Sequence, residues 1–293
     1  MLLAAVSAPP GTAAAAEGKS RVEIPSDWRW KRPPRPVAKR RPDENPDRDE
    51  PKRAGRKSSG RAAAPAASPP PPPRRRGGPC PKEMVSVRGE FCIDRYEAYV
   101  VEVLPDGRTR RHSPFEPVAG KTVAARNRRG RVPQAYISRN EAELACRRAG
   151  KRLCTDSEWV AACKGRHPTI YPYGEKHVPG RCNDRGSSSF NKLYGEDGHE
   201  APKSAYTWEN LNDPRLNRQP GTCAPAGTFK RCRNSFKLYD MVGNLHEWTA
   251  APSGTFRGGY YLDVHQHGDG CDYKTTAHSP RYHDYSTGFR CCR

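Results

Sequence analysis

The chain has no cysteine, tyrosine or phenylalanine before residue 80, although its 293 residues hold 11, 13 and 7 of them. Apolar residues are scarce, at 34%. A globular chain is nearer about 45–50% apolar, so part of this one is expected not to fold. No apolar run approaches about 18 residues, which excludes a membrane-spanning helix. Gly-x-Ser-x-Gly is absent, so nothing supports a serine-hydrolase elbow. A complete Gly-x-x-x-x-Gly-Lys-Ser/Thr phosphate loop is absent too. Acidic residues are outnumbered 32 to 52, leaving a net charge of +20.

What is present divides the chain near Cys80. Residues 1–79 hold 16 of the 30 prolines, 18 Lys and Arg against 8 Asp and Glu, and Trp28 and Trp30 as their only aromatics. Such a segment buries too little apolar surface to offset its ordering entropy. Pro69–Pro73, followed by Arg74, Arg75 and Arg76, reads as a stiff polyproline spacer with a basic end. We expect 1–79 to be a disordered basic tail, either a solvated linker or a contact for an anionic surface. No fold signature of a specific nucleic-acid binder accompanies it. Met1–Ala8 ends in Val6-Ser7-Ala8, which resembles a signal-peptidase site without a basic segment before it.

Residues 80–293 form the expected folded domain, long enough for a core of its own. Met84–Val87 and Glu90–Ile93 read as strands joined by a turn at Arg88-Gly89. Residues 140–149 read as a helix, capped by Ser138 with Glu141 three residues on and stopped by Gly150. A second helix spans about 157–164, capped by Asp156 or Thr155 and ended by Gly165. The remainder is rich in Gly, Pro and Asn, which predicts an irregular, loop-rich α+β domain. Such a domain needs cross-links. The cysteines lack the paired two-to-four-residue spacing of a zinc site. Five disulfides would use ten of the eleven and imply an oxidising, extracytoplasmic location. Cys80–Cys92 is the pairing that would close the first hairpin.

Three stretches then matter together. The first runs from Gly150-Lys-Arg-Leu-Cys-Thr-Asp-Ser-Glu-Trp159 through Ala161-Ala-Cys-Lys-Gly165 to Tyr171-Pro-Tyr-Gly174. The second is Leu238-Tyr-Asp-Met-Val-Gly-Asn-Leu-His-Glu-Trp-Thr249. The third is Phe256-Arg-Gly-Gly-Tyr260 with the ending Gly288-Phe-Arg-Cys-Cys292. In order and spacing they resemble the formylglycine-generating enzyme family, also called sulfatase-modifying factors, and Met84–Glu97 fits that family's first hairpin. The resemblance covers 80–293. It implies an irregular, disulfide-stabilised fold distantly related to C-type lectins.

The resemblance also implies chemistry. Family enzymes oxidise a cysteine of a Cys-x-Pro-x-Arg segment to formylglycine, using copper(I) held by two cysteines after a Gly-Gly-Ser segment. Soft thiolates suit copper(I). Counting from Gly259, the serine position holds Tyr260 and the two cysteine positions hold Asp263 and Gly268. Copper is therefore not expected at the aligned site. The resemblance further implies a calcium site at Asp240, Gly243, Leu245 and Glu247, where oxygen ligands suit the ion. A second calcium site would begin at Asn183 and continue to Asp197 and the carbonyl of His199. Read as a strand, Asp263, His265 and His267 share one face, a ligand set that iron could use. His278 and His283 follow nearby. Arg257, Tyr260, Tyr261 and Trp248 are candidates for a groove holding a peptide or small ligand, with Trp248 better suited to the core. The expected function is an extracytoplasmic binding or structural module of this family. The alternatives are an active cysteine oxidase or a metal-dependent oxidase using His265 and His267.

Overall fold

The computed structural model describes residues 79–196, 199–276 and 278–293. All but one residue of the expected tail, and Asp197, lie outside them. Strands β1 (Met84–Val87) and β2 (Phe91–Asp94) form the expected antiparallel hairpin. Arg88 and Gly89 turn it with φ of 52° and 72°, the left-handed pair that matches strand twist. Next come β3 (Ala98–Val103), β4 (Thr109–Arg111) and β5 (Val123–Asn127), in sheet order β4-β3-β5. Helix α1 (Arg139–Arg148) begins with a full capping box between Ser138 and Glu141. After β6 (Arg152–Leu153), helix α2 (Asp156–Lys164) begins with a second box between Thr155 and Glu158. Gly150 and Gly165 follow the two helices at φ of 68° and 81°, where a side chain would be strained. The box at Thr155 explains why Asp156 lies inside the helix rather than capping it.

The second half is mostly loop. Two short helices, α3 (Ser189–Tyr194) and α4 (Trp208–Leu211), lead into β7 (His246–Trp248), β8 (Phe256–Arg257), β9 (Lys274–Thr275), β10 (Thr287–Phe289) and β11 (Cys291–Cys292). One sheet has the order β1-β2-β11-β6 and another β10-β7-β8-β9. β10 pairs with β7 in parallel, Phe289 opposite Trp248. β11 is thus inserted between the earlier strands β2 and β6, while β10 adds to the edge of its sheet beside β7.

Five disulfides hold the loops. Cys80–Cys92 closes the hairpin as expected. Successive strand residues point to opposite faces, so the adjacent Cys291 and Cys292 reach different partners. Cys291 joins Cys146 on α1, and Cys292 joins Cys154 ahead of α2. Cys163–Cys271 and Cys182–Cys232 tie the long loops. The eleventh cysteine, Cys223, is free and buried. The core lies in three clusters, built around Trp159 and Ile93, around Trp248 and Ile137, and around Tyr136 and Tyr261.

Candidate functional site

The turn before β7 wraps a buried group of charges. Asp240 and Asn244 take φ of 55° and 64°, which bends the chain tightly at both ends of Met241-Val242-Gly243. A Cβ on Gly243 would sit 2.3 Å from the Asn183 carbonyl oxygen, so the close approach requires glycine. That carbonyl accepts from Asn244 N at 2.9 Å. The Asn183 amide donates to Thr222 O and Asn244 Oδ1. Asn183 therefore braces the turn from below.

Three carboxylates face this turn and share one guanidinium. Glu247 accepts from Arg290 Nε and Nη2, both at 2.6 Å, and from Trp159 Nε1 at 2.7 Å. Arg290 is fully buried and also donates to the carbonyls of Asp94 and Tyr239. Asp240 accepts from Gly227 N at 2.6 Å. Glu97 accepts from the Asn244 amide at 2.5 Å and from Leu245 N at 3.2 Å. Burial pushes the Asp240 carboxyl up to about 7. Burial also raises Glu97 well above the ordinary carboxylate range, reinforced by the charges of Asp240 and Glu247. One buried guanidinium cannot balance three ionised acids in a dry site, so without a further cation Asp240 and Glu97 are driven toward their protonated forms. The side-chain donors are oxygens and carry excess acid, the type of surroundings calcium favours, although among the described residues no three of them converge on one position.

The loop after β8 carries the aligned copper positions. It forms turns and isolated bridges instead of a strand, with Gly259, Gly268 and Gly270 at φ of 69°, 109° and 56°. The alternating phase expected for Asp263, His265 and His267 therefore does not arise. Asp263 Oδ1 instead accepts from its own neighbours, His265 N and Gln266 N. His267 packs edge-on against Tyr273 at 5.6 Å. His265 turns the other way. Its Nδ1 lies 2.6 Å from Asp269 Oδ1 and its Nε2 lies 3.2 Å from His177 Nδ1. His177 Nε2 in turn lies 2.7 Å from Asp184 Oδ2. Among the described residues no three His, Cys, Asp or Glu side chains converge on a common metal position.

The expected groove residues separate as well. Tyr261 is fully buried with its hydroxyl 3.2 Å from Ser189 Oγ, so it packs the core. Arg257 is buried against Asp156, at 2.8 and 2.5 Å, and cannot wall an open groove. Trp248 is core, donating to Ile137 O. Tyr260 alone of the four remains half-buried. It joins a cluster that the sequence reading missed: His246, Phe256 and Tyr273. From His246 their ring centroids are 4.8 Å (Tyr260), 4.5 Å (Phe256) and 5.4 Å (Tyr273). Burial, with the nearby His278 and His267, pushes His246 down to about 3, so it stays neutral. Among the described residues, His246 Nδ1 and Asp263 Oδ2 are buried without hydrogen-bond partners. Such groups cost free energy unless something bonds them, so the cluster can hold a polar ligand against aromatic rings. His278 stacks on Tyr282, and His283 lies against Asn212 and Trp208. A separate cavity of about 440 Å³ is lined by Lys164, Arg181, Arg231, Arg233 and Tyr173, with no carboxylate on its wall. It can hold an anionic group.

Comparison with known proteins gives these features a context. The sulfatase-modifying factor enzyme 1-like domain family matches residues 74–293. The chain belongs to that family. Inactive C-alpha-formylglycine-generating enzyme 2 of Bos taurus is 31% identical over 120 residues, 41% of this chain and 33% of its own. The formylglycine-generating enzyme of Mycobacterium tuberculosis is 28% identical over 191 residues, 54% of this chain and 56% of its own. The chain therefore spans between a third and somewhat over half of these relatives. The solved structure of CarF is 18% identical, covers 69% of this chain and 85% of its own, and superposes with a TM-score of 0.38. The resemblance read from the three motifs is thus a family membership, and it includes relatives with and without named activity.

Within the sulfatase-modifying factor family, the decisive feature of this chain is its cysteine accounting. Ten cysteines are disulfide-bonded and the eleventh, Cys223, is fully buried, with its thiol pushed up by burial and by the charges of Glu97 and Asp240. A high pKa and no access make it an inert thiol.

Proposed function

We propose that this chain is an extracytoplasmic binding module of the sulfatase-modifying factor family that does not oxidise cysteine. The observation that carries this reading is the cysteine accounting. Copper(I) chemistry needs accessible soft thiolates, and every cysteine here is either bridged or buried. Asp263 and Gly268 at the aligned positions supply none. Five disulfides suit an oxidising compartment. The basic cavity, and Tyr260 at the edge of the otherwise buried aromatic cluster, supply surfaces for a peptide or small ligand.

The test is mass spectrometry of a Cys-x-Pro-x-Arg peptide incubated with the chain and copper(I) in air, beside an active relative. The expected result is an unchanged peptide thiol. Aldehyde formation above the copper-only control would overturn the proposal.

Calcium belongs to the same reading, held by Asp240 with the carbonyls of Gly243 and Leu245 beside Glu247. What supports it is the excess of buried acid there. When bound, the ion supplies positive charge and fixes the turn. The metal-free protein then has a definite pH behaviour. Asp240 has a folded pKa of about 7 against an ordinary 3.8. Its contribution is fully present below 3.8 and lost as pH rises through about 7. Stability without calcium should therefore fall from pH 4 to 8, and Asp240→Asn should flatten that fall. Calcium at a hundred times its Kd should add about 2.7 kcal/mol at neutral pH, read as a rise of about 5–10 °C in melting temperature. A melting temperature indifferent to both calcium and chelator at pH 7.5 would remove the ion from this site.

A further inference from the structure

We infer that His177 and His265 form a site for a divalent ion of the borderline class, zinc or copper(II), bound between His177 Nδ1 and His265 Nε2. The inference rests on how the two rings are turned. Each imidazole has its far nitrogen on a carboxylate: His265 Nδ1 on Asp269 Oδ1 at 2.6 Å, and His177 Nε2 on Asp184 Oδ2 at 2.7 Å. An ionised carboxylate only accepts, so each of those nitrogens carries the ring hydrogen. In the neutral tautomers neither of the two remaining nitrogens, 3.2 Å apart, carries a hydrogen, and the rings sit edge-to-face with centroids 4.4 Å apart. Two such nitrogens at 3.2 Å repel. Something positive belongs between them, either an added proton or a metal ion.

Several features favour the metal. A carboxylate on the far nitrogen is the usual partner of a metal-bound histidine, fixing its tautomer and raising its basicity. A tetrahedral ion with ligands at about 2.0–2.1 Å separates two nitrogens by about 3.4 Å, close to the spacing present. The rings are held in place before binding. Tyr171 lies tilted against His177, ring centroids 5.3 Å apart, and its hydroxyl donates to Asp269 Oδ1 at 3.3 Å. Asp184 has no exposed side-chain surface and also accepts from Gly180 N at 2.7 Å. The two histidines themselves are partly exposed, at 23% and 45%, so an ion can enter and keep water on its remaining positions. Imidazole ligands suit zinc and copper(II) better than calcium or magnesium. The site is separate from the carboxylate cluster beneath the 240–247 turn and does not depend on the proposed binding role.

The experiment is titration of the chain with zinc chloride against a chromophoric chelator, repeated with copper(II). The expected result is one ion per chain at this site. His177→Ala and His265→Ala should each weaken it at least about tenfold, and Asp184→Asn by about 10–100-fold through lost orientation of His177. Copper(II) electron paramagnetic resonance should show two nitrogen ligands in the parent and fewer in either alanine variant. Metal-free His265→Ala should melt like the parent, since its ring and Asp269 are both exposed, whereas His177→Ala should melt lower because buried Asp184 Oδ2 loses its partner. Zinc affinity unchanged in the His177→Ala/His265→Ala double variant, or no ion bound by the parent, would overturn the site.

Discussion

Arg290→Met is expected to lower stability by about 3–5 kcal/mol, the cost of leaving a buried charge without its partner. For a domain of this size that is about 6–20 °C in melting temperature. The reason is the arrangement under the 240–247 turn. Arg290 spends two donors on Glu247 and others on the Asp94 and Tyr239 carbonyls. Methionine fills similar volume but leaves Glu247, Asp240 and Glu97 with no guanidinium. Glu247→Gln in the same chain should restore part of the loss by removing one of those charges. The deficit should shrink toward pH 4, where the carboxyls take up protons instead. Arg290→Lys keeps the charge but loses the two-pronged fit, so it should fall between parent and Arg290→Met. Urea unfolding at pH 4.5 and pH 7.5 measures the three variants beside the parent. An Arg290→Met protein as stable as the parent at pH 7.5 would show that the cluster carries no net charge to compensate.

Local features of the fold were legible in the sequence, and long-range ones were not. Ser138 with Glu141 and Thr155 near Glu158 announce their helices because a capping box is contained in four residues. The hairpin and Cys80–Cys92 are visible for the same reason. The other bridges join residues 50 to 145 apart, and spacing says nothing about which strands the chain will bring together. Glu97 and Arg290 stood inside the quoted motifs, yet nothing in a local pattern says that a charged side chain is buried. His177 escaped notice because its partner lies 88 residues away. The alternation of Asp263, His265 and His267 misled because it presumes a strand. Gly259, Gly268 and Gly270, all with positive φ, instead break that loop into turns. The glycines were the signal that could have corrected it.

Removing both bridges of β11 should have an effect at least as large. Cys146→Ala with Cys291→Ala opens a loop of 145 residues, and Cys154→Ala with Cys292→Ala one of 138. Each bridge is expected to contribute about 2–5 kcal/mol. A typical domain has only about 5–15 kcal/mol in total, so losing both should leave little or no folded protein at 37 °C. β11 is two residues long, pairing with β2 through Cys292 and with β6 through both residues. Its hydrogen bonds alone are too few to hold it in place. Arg290 immediately precedes it. A strand released from its bridges would also release the guanidinium from Glu247. The bridge variants and Arg290→Met should therefore be strongly non-additive, as expected for groups that share one element. Thermal unfolding of the single-bridge variants with and without Arg290→Met measures this coupling. Strictly additive losses would mean that Arg290 stays seated without the bridges, and that the carboxylate cluster, not the disulfides, fixes the C-terminus.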